Sequence, residues 1–194
     1  MERLQKEARR SHEPALHSKL YRKRKHHKMK LSDHLTLKEA TYSATAIKHG
    51  INNQPNIGQL LALKKLANAI FEPCREFVGG PLRVSSGFRS KALNERIGGA
   101  LSSDHMINDE KTAAFDLDCD TYGNGTNAEL FHFIRLNLEF KQVIWEFGGD
   151  VYEKGTSPNW VHVAWSNDPK LNKGEVLLAK RVNGRTVYEY YKAK

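Results

Sequence analysis

Residues 113–120, AAFDLDCD, alternate strictly: Phe115, Leu117 and Cys119 fall on one side, Asp116, Asp118 and Asp120 on the other. Successive side chains of a strand point to opposite faces of a sheet. The segment is therefore read as a strand with one face in a core and a row of carboxylates on the other. A fold for this chain must bury the first face and find a use for the second. The preceding stretch, SSGFRSKALNERIGGALSSDHMINDEKT (85–112), adds Arg89 and His105 with little apolar periodicity. A core segment needs neither.

Helical spacing surrounds this segment. LTLKEATYSATAIKHG (35–50) predicts a short helix, with Thr36 as N-cap, Glu39 closing a capping box and Gly50 as the stop. In PNIGQLLALKKLANAIFEPCREFVGG (55–80), Leu60, Leu63, Ala67, Ile70, Phe71 and Cys74 recur at three-to-four spacing, and Pro73 marks a kink or a join. PLRVSSGF reads as a strand, KALNERIGG as a short helix, and TNAELFHFIRLNLEF as a helix burying Leu130, Phe131, Ile134 and Leu138.

Two strands follow, KQVIWEF and NWVHVAW, joined by loop 148–159. Alternation puts Ile144 and Glu146 on one face and Val143, Trp145 and Phe147 on the other; Trp160, His162 and Ala164 share a face in the second strand. EVLLAKRV and RTVYEYYK, joined by Asn183-Gly184, predict a C-terminal β-hairpin. The class expected is α+β, with helices packed on a small central antiparallel sheet.

The 194 residues, 27% charged and 39% hydrophobic, suit a soluble globular domain with a sizeable core. No apolar run reaches membrane-spanning length, and no secretory signal peptide is seen. Of the net charge of +9, residues 1–30 carry +8. They are expected to form a basic, disordered extension ahead of a domain over 31–194, with Met29 as an alternative start. Such an arm can meet an anionic wall polymer or nucleic acid by counterion release. Cys74 and Cys119 are too few for a disulfide framework and read as small buried thiols.

Catalytic zinc sites commonly use three protein ligands and leave a fourth position open. His105 and Asp116 are candidates for two, and His162, which interrupts an apolar strand, for the third. Alone, each has a plain structural reading: a loop histidine, a turn-capping aspartate, a sheet histidine. If the strands carrying Glu146 and His162 pair as a hairpin, both can face one cleft, with Glu146 placed as a general base.

Taken in order, SSGFRSKALNERIGG, SSDH, AAFDLD, VIWEF and WVHVAW resemble the M15 peptidases over roughly residues 31–166. These are zinc D-alanyl-D-alanine carboxypeptidases and related phage and bacterial peptidoglycan hydrolases. The nearest resemblance is to the M15A-type branch, which shares its fold with the hedgehog signalling domain. It implies one zinc per chain held by His105, Asp116 and His162, Arg89 holding a substrate carboxylate or stabilising the intermediate, and Ser103 touching substrate. It implies peptidoglycan stem peptides as substrate, reached from a host cytoplasm after release or from a virion.

The sequence departs from that pattern in two places. His105 and Asp116 stand eleven positions apart instead of seven, so a polar bulging loop is expected between them, and Asp118 is a rival ligand. Many relatives carry an acid three residues before the last histidine; here that position is Asn159, leaving Glu146 as base, with Asp150 and Glu153 as weaker candidates. The missing acid keeps open a second reading, a catalytically silent zinc-stabilised module that binds wall or protein.

Overall fold

The strands are β1 (Arg83–Ser86), β2 (Thr112–Asp118), β3 (Gln142–Glu146), β4 (Trp160–Ser166), β5 (Glu175–Val182) and β6 (Arg185–Tyr190). They form one sheet in the order β1-β2-β4-β3-β5-β6, in a computed structural model that describes residues 29–193. The expected basic arm lies outside the described residues up to position 28. At the start of the described residues Leu37 N donates to Met29 O at 2.8 Å, and Met29 packs against the core.

Every adjacent pair is antiparallel except β3 and β5, which run parallel. The sheet is therefore mixed within the expected α+β class. β4 returns beside β3 as a hairpin, and the chain then crosses to the far edge of β3 to begin β5. The β5–β6 hairpin turns at Asn183 and Gly184, with φ of 50° and 76°. Both residues are left-handed, as the tightest hairpin turns require.

One face of the sheet is the core face. Phe115 and Leu117 of β2, Val143 and Trp145 of β3, Val161 and Val163 of β4, and Leu178 of β5 are buried there. Against it pack α3 (Ile57–Leu66), which lies on β2, and α6 (Asn127–Asn137), which lies on β3 and β4. In α6, Leu130, Phe131 and Ile134 are buried as the spacing predicts, while Leu138 is only partly so.

The expected helix over 36–50 is two helices, α1 (Leu37–Ala40) and α2 (Ala44–Lys48). The Thr36–Glu39 capping box is present, but Ser43 caps a fresh start by accepting from Ala46 N. The long helix stays continuous past Pro73 by widening. Proline has no N–H for the carbonyl four residues back, and its ring crowds that carbonyl. A π-helical turn over Ala67–Phe71, in which Glu72 N donates to Ala67 O, absorbs the misfit between α3 and α4 (Glu72–Val78). Gly79, with φ of 64°, ends α4. The short helix α5 spans Lys91–Arg96. Among the described residues no helix is long and apolar enough to cross a membrane. Cys74 and Cys119 are free and buried, and burial pushes both thiols upward.

Candidate metal centre

The opposite sheet face carries the acids. Asp116 in β2 is the register partner of His162 in β4, and His162 is in turn the partner of Ile144 in β3. Two register pairs along, Glu146 faces Trp160. The period-two pattern thus brings Asp116, His162 and Glu146 to one side, as their sequence phase predicts.

His105 arrives from outside the sheet. It sits in a 3₁₀ turn, Asp104–Met106, anchored by Lys141 Nζ, which donates to both Asp104 carboxylate oxygens at 2.7 and 2.8 Å. Arg89 N donates to His105 O at 2.9 Å, so the turn is tied to the chain after β1. His105 Nδ1 lies 2.8 Å from Gly87 O. A carbonyl only accepts, so Nδ1 carries the proton and the neutral ring presents a lone pair at Nε2.

That lone pair meets another acceptor. His105 Nε2 is 3.3 Å from Asp116 Oδ1, and His162 Nδ1 is 2.9 Å from the same oxygen. The other carboxylate oxygen, Oδ2, accepts from Arg89 Nη2 at 2.9 Å, and Arg89 Nε donates to Ser86 Oγ at 3.0 Å. The carboxylate is thus held from behind by a guanidinium while its forward oxygen faces two imidazoles.

Burial drives the His105 ring below its ordinary value, only partly opposed by the nearby Asp116 charge, and so favours neutral imidazole. Burial alone would raise Asp116; the hydrogen bond from His162 Nδ1 helps to outweigh it and hold the carboxyl below its usual range. Glu146 goes the other way. Burial pushes it up to about 7, the Asp116 charge adds to this, and His162, Arg89 and Arg181 oppose it. A carboxyl poised near neutrality beside three donor side chains suits proton transfer.

The donor set fits a cation. Ligand atoms of His105, Asp116 and His162 lie within 4.8 Å of one another, with His105 and Asp116 buried. A neutral His105 and an ionised Asp116 leave two lone pairs facing across 3.3 Å in a buried site. A cation between them relieves that arrangement, as would a proton on Nε2. Gly87 O meanwhile fixes which histidine nitrogen points inward.

Asp118, the rival on the same strand, is turned to other work. It accepts from Thr121 Oγ1 at 2.6 Å and Asn127 Nδ2 at 3.3 Å, and Arg83 lies 3.8 Å away. Asp150, Glu153 and Asn159 are exposed in the loop between β3 and β4. Ser103 is half-buried, at the head of the turn that carries His105. The residues between His105 and Asp116 form the expected polar loop, and it is pinned at several points. Ile107 is in the core, Asp109 accepts from Lys111 N and Thr112 N to close a turn, and Asn56 and Gln59 reach from the start of α3 to Glu110 and Met106 O.

Three contributors escaped the sequence reading. Gly87 is required by close approach, since a Cβ there would lie 2.2 Å from Ala40 O. Asn127, fully buried at the start of α6, accepts from Cys119 N and donates toward Pro158 O and Asn159 O, joining the end of β2 to the approach to β4. Phe147 was expected on the core face, but its φ of 59° reverses it, and its ring meets Trp160 on the metal face.

The Peptidase M15 family model matches residues 33–164, a span that runs from before α1 into β4 and contains His105, Asp116, Glu146 and His162. No curated protein matches the chain.

Proposed function

The chain belongs to the Peptidase M15 family, and from that premise we propose that it is a zinc-dependent peptidase cutting D-amino-acid-containing bonds in peptidoglycan stem peptides. The observation that carries the reading is the facing of His105 Nε2 and Asp116 Oδ1 at 3.3 Å, with His162 Nδ1 on the same oxygen. Two histidines and one carboxylate form a common catalytic zinc set.

His105, Asp116 and His162 would hold the ion, which polarises a carbonyl and makes bound water acidic. Glu146, buried on the same face, takes the proton of the attacking water and returns it to the leaving nitrogen. Its raised proton affinity matches that two-way role. Arg89 keeps Asp116 oriented through Oδ2, acting from behind the donor set. Ser103, at the head of the His105 turn, is placed to touch the substrate backbone.

A silent binding module is the second reading, favoured by Asn159 standing where many relatives carry an acid. Glu146 supplies a carboxylate from β3 instead, which favours turnover. Digestion of purified peptidoglycan with and without chelator, with fragments identified by mass, tests the choice. Chelator-sensitive release of peptide fragments is expected; intact wall after exposure to the zinc-loaded protein would leave the binding module.

A further inference from the structure

The face that carries the metal donors does not end with the family-matched span. Glu146 pairs with Ala179 in β5, and Ala179 pairs with Tyr188 in β6. Cross-strand partners share a face, so Tyr188 stands on Glu146's side, and so does Arg181, two residues beyond Ala179. Both lie after residue 164, where the family match stops.

Arg181 is exposed, and its guanidinium carbon sits 4.9 Å from the centroid of the Phe147 ring. Phe147 meets Trp160 edge-on at 5.5 Å, and Trp160 is the register partner of Glu146. The shelf exists because Phe147 is left-handed, with φ of 59°. For a bulky residue that conformation is costly and persists only where the surroundings enforce it.

A guanidinium lying on an aromatic face keeps its in-plane N–H groups free for a planar anion. A cavity of about 430 Å³ at the end of β3 and β5 touches Phe147, Ala179 and Arg181 but is walled also by Trp145, Leu178 and Lys180 of the opposite sheet face, so the shelf itself is an open surface. Asp150, also on the cavity wall, has its Oδ1 engaged by Tyr152 N at 3.0 Å. The neighbouring Lys180 is paired with Glu189 at 2.8 Å. Arg181 is one strand and two residues from Glu146, roughly 8 Å between backbones, or about two residues of extended peptide.

We propose that Arg181, seated on Phe147 and flanked by Trp160 and Tyr188, binds a carboxylate of the peptide substrate about two residues from the scissile bond. The proposal rests on the peptidase reading above and adds a specificity determinant to it. Ala179, the small residue between Glu146 and Tyr188, leaves room for the peptide to cross from the reacting bond to this anchor. Substrates with an acidic group at that distance are then favoured over the same peptides carrying an amide.

The test uses the full chain, zinc-loaded, with Glu146→Gln to block turnover. It is titrated calorimetrically with synthetic peptides in which one D-glutamate is moved along the chain, each paired with its D-glutamine counterpart. At one position the acid should bind about tenfold more tightly than the amide, the size of one charge-assisted contact. Adding Arg181→Met should abolish that ratio with zinc content unchanged, Arg181→Lys should keep part of it, and Asp150→Asn should widen it. Equal binding of acid and amide at every position, or a ratio that survives Arg181→Met, overturns the proposal. Wild-type turnover, measured in parallel, separates the two claims: turnover without discrimination sinks only the subsite, and discrimination without turnover sinks only the peptidase reading.

Discussion

Asp116 and His162, 46 residues apart in sequence, stand directly opposite each other in the β2–β4 ladder, with His162 Nδ1 2.9 Å from Asp116 Oδ1. Strand pairing alone therefore brings two of the three candidate donors together. The third, His105, depends on a turn and a backbone carbonyl. The consequences differ for each group and can be measured.

Asp116→Ala should strip most of the zinc, because it removes the oxygen that both imidazoles face. Asp118→Ala should keep it, since Asp118 is bound to Thr121, Asn127 and Arg83. Metal content after dialysis, measured by atomic emission, reads both. The reverse pattern would mean that the strand presents the other acid to the metal.

Glu146→Gln keeps shape but cannot take a proton. Hydrolysis should fall about 10²–10⁴-fold, the usual cost of a lost general base, while zinc content stays unchanged. Asp150→Asn and Glu153→Gln, both on the exposed loop, should have much smaller effects on hydrolysis. Near-normal turnover of zinc-loaded Glu146→Gln would move the base into that loop.

Glu146 also makes stability depend on pH. Its folded-state pKa, about 7, lies above the reference of 4.5, so between those values the folded chelated protein binds more protons than the unfolded chain. Its contribution is therefore fully present below pH 4.5 and is lost as pH rises through about 7. Urea titrations of chelated protein at pH 5 and pH 8 should show Glu146→Gln gaining on wild type by roughly 3 kcal/mol across that rise. A constant difference between the two proteins at all pH values would refute the assignment.

Gly87→Ala should injure both fold and metal binding. The added Cβ meets Ala40 O at 2.2 Å, next to the 2.8 Å bond from Phe88 N to that oxygen. A loss of about 1–3 kcal/mol is expected, together with weaker zinc retention, because the carbonyl that orients His105 must move. Gly98→Ala is the control. Its φ of 69° makes it strained, but nothing lies near its Cβ, so stability should fall about 1 kcal/mol with zinc affinity intact.

Removing residues 1–28 should leave the melting temperature and hydrolysis of a small soluble peptide unchanged. Binding to whole anionic wall should weaken, most at low salt. A truncated protein that unfolds would show that the basic segment belongs to the body.

Periodicity made the frame legible. Alternation in 113–119 placed Asp116 on one face and Phe115 and Leu117 on the other, and the capping residues Thr36 and Glu39 announced the first helix. What stayed hidden depended on contacts distant in sequence. Gly87 looks like an ordinary loop glycine until Ala40 is folded against it. The parallel pairing of β3 with β5 leaves no mark in either strand, since a buried apolar strand reads alike beside either orientation. Phe147 defeated alternation because one left-handed residue at a strand end reverses the phase, and nothing in its side chain signals that. The widened helix turn came closest to being readable, because Pro73 marked the misfit without saying how the backbone would absorb it.

The parallel seam between β3 and β5 also decides which edge of the sheet is covered. The β3–β4 hairpin alone would leave β3 with a bare edge bearing Val143, Ile144 and Trp145, which Glu175–Val182 covers. Such an edge invites pairing with another chain. The β5–β6 hairpin therefore shields the strand that carries Glu146.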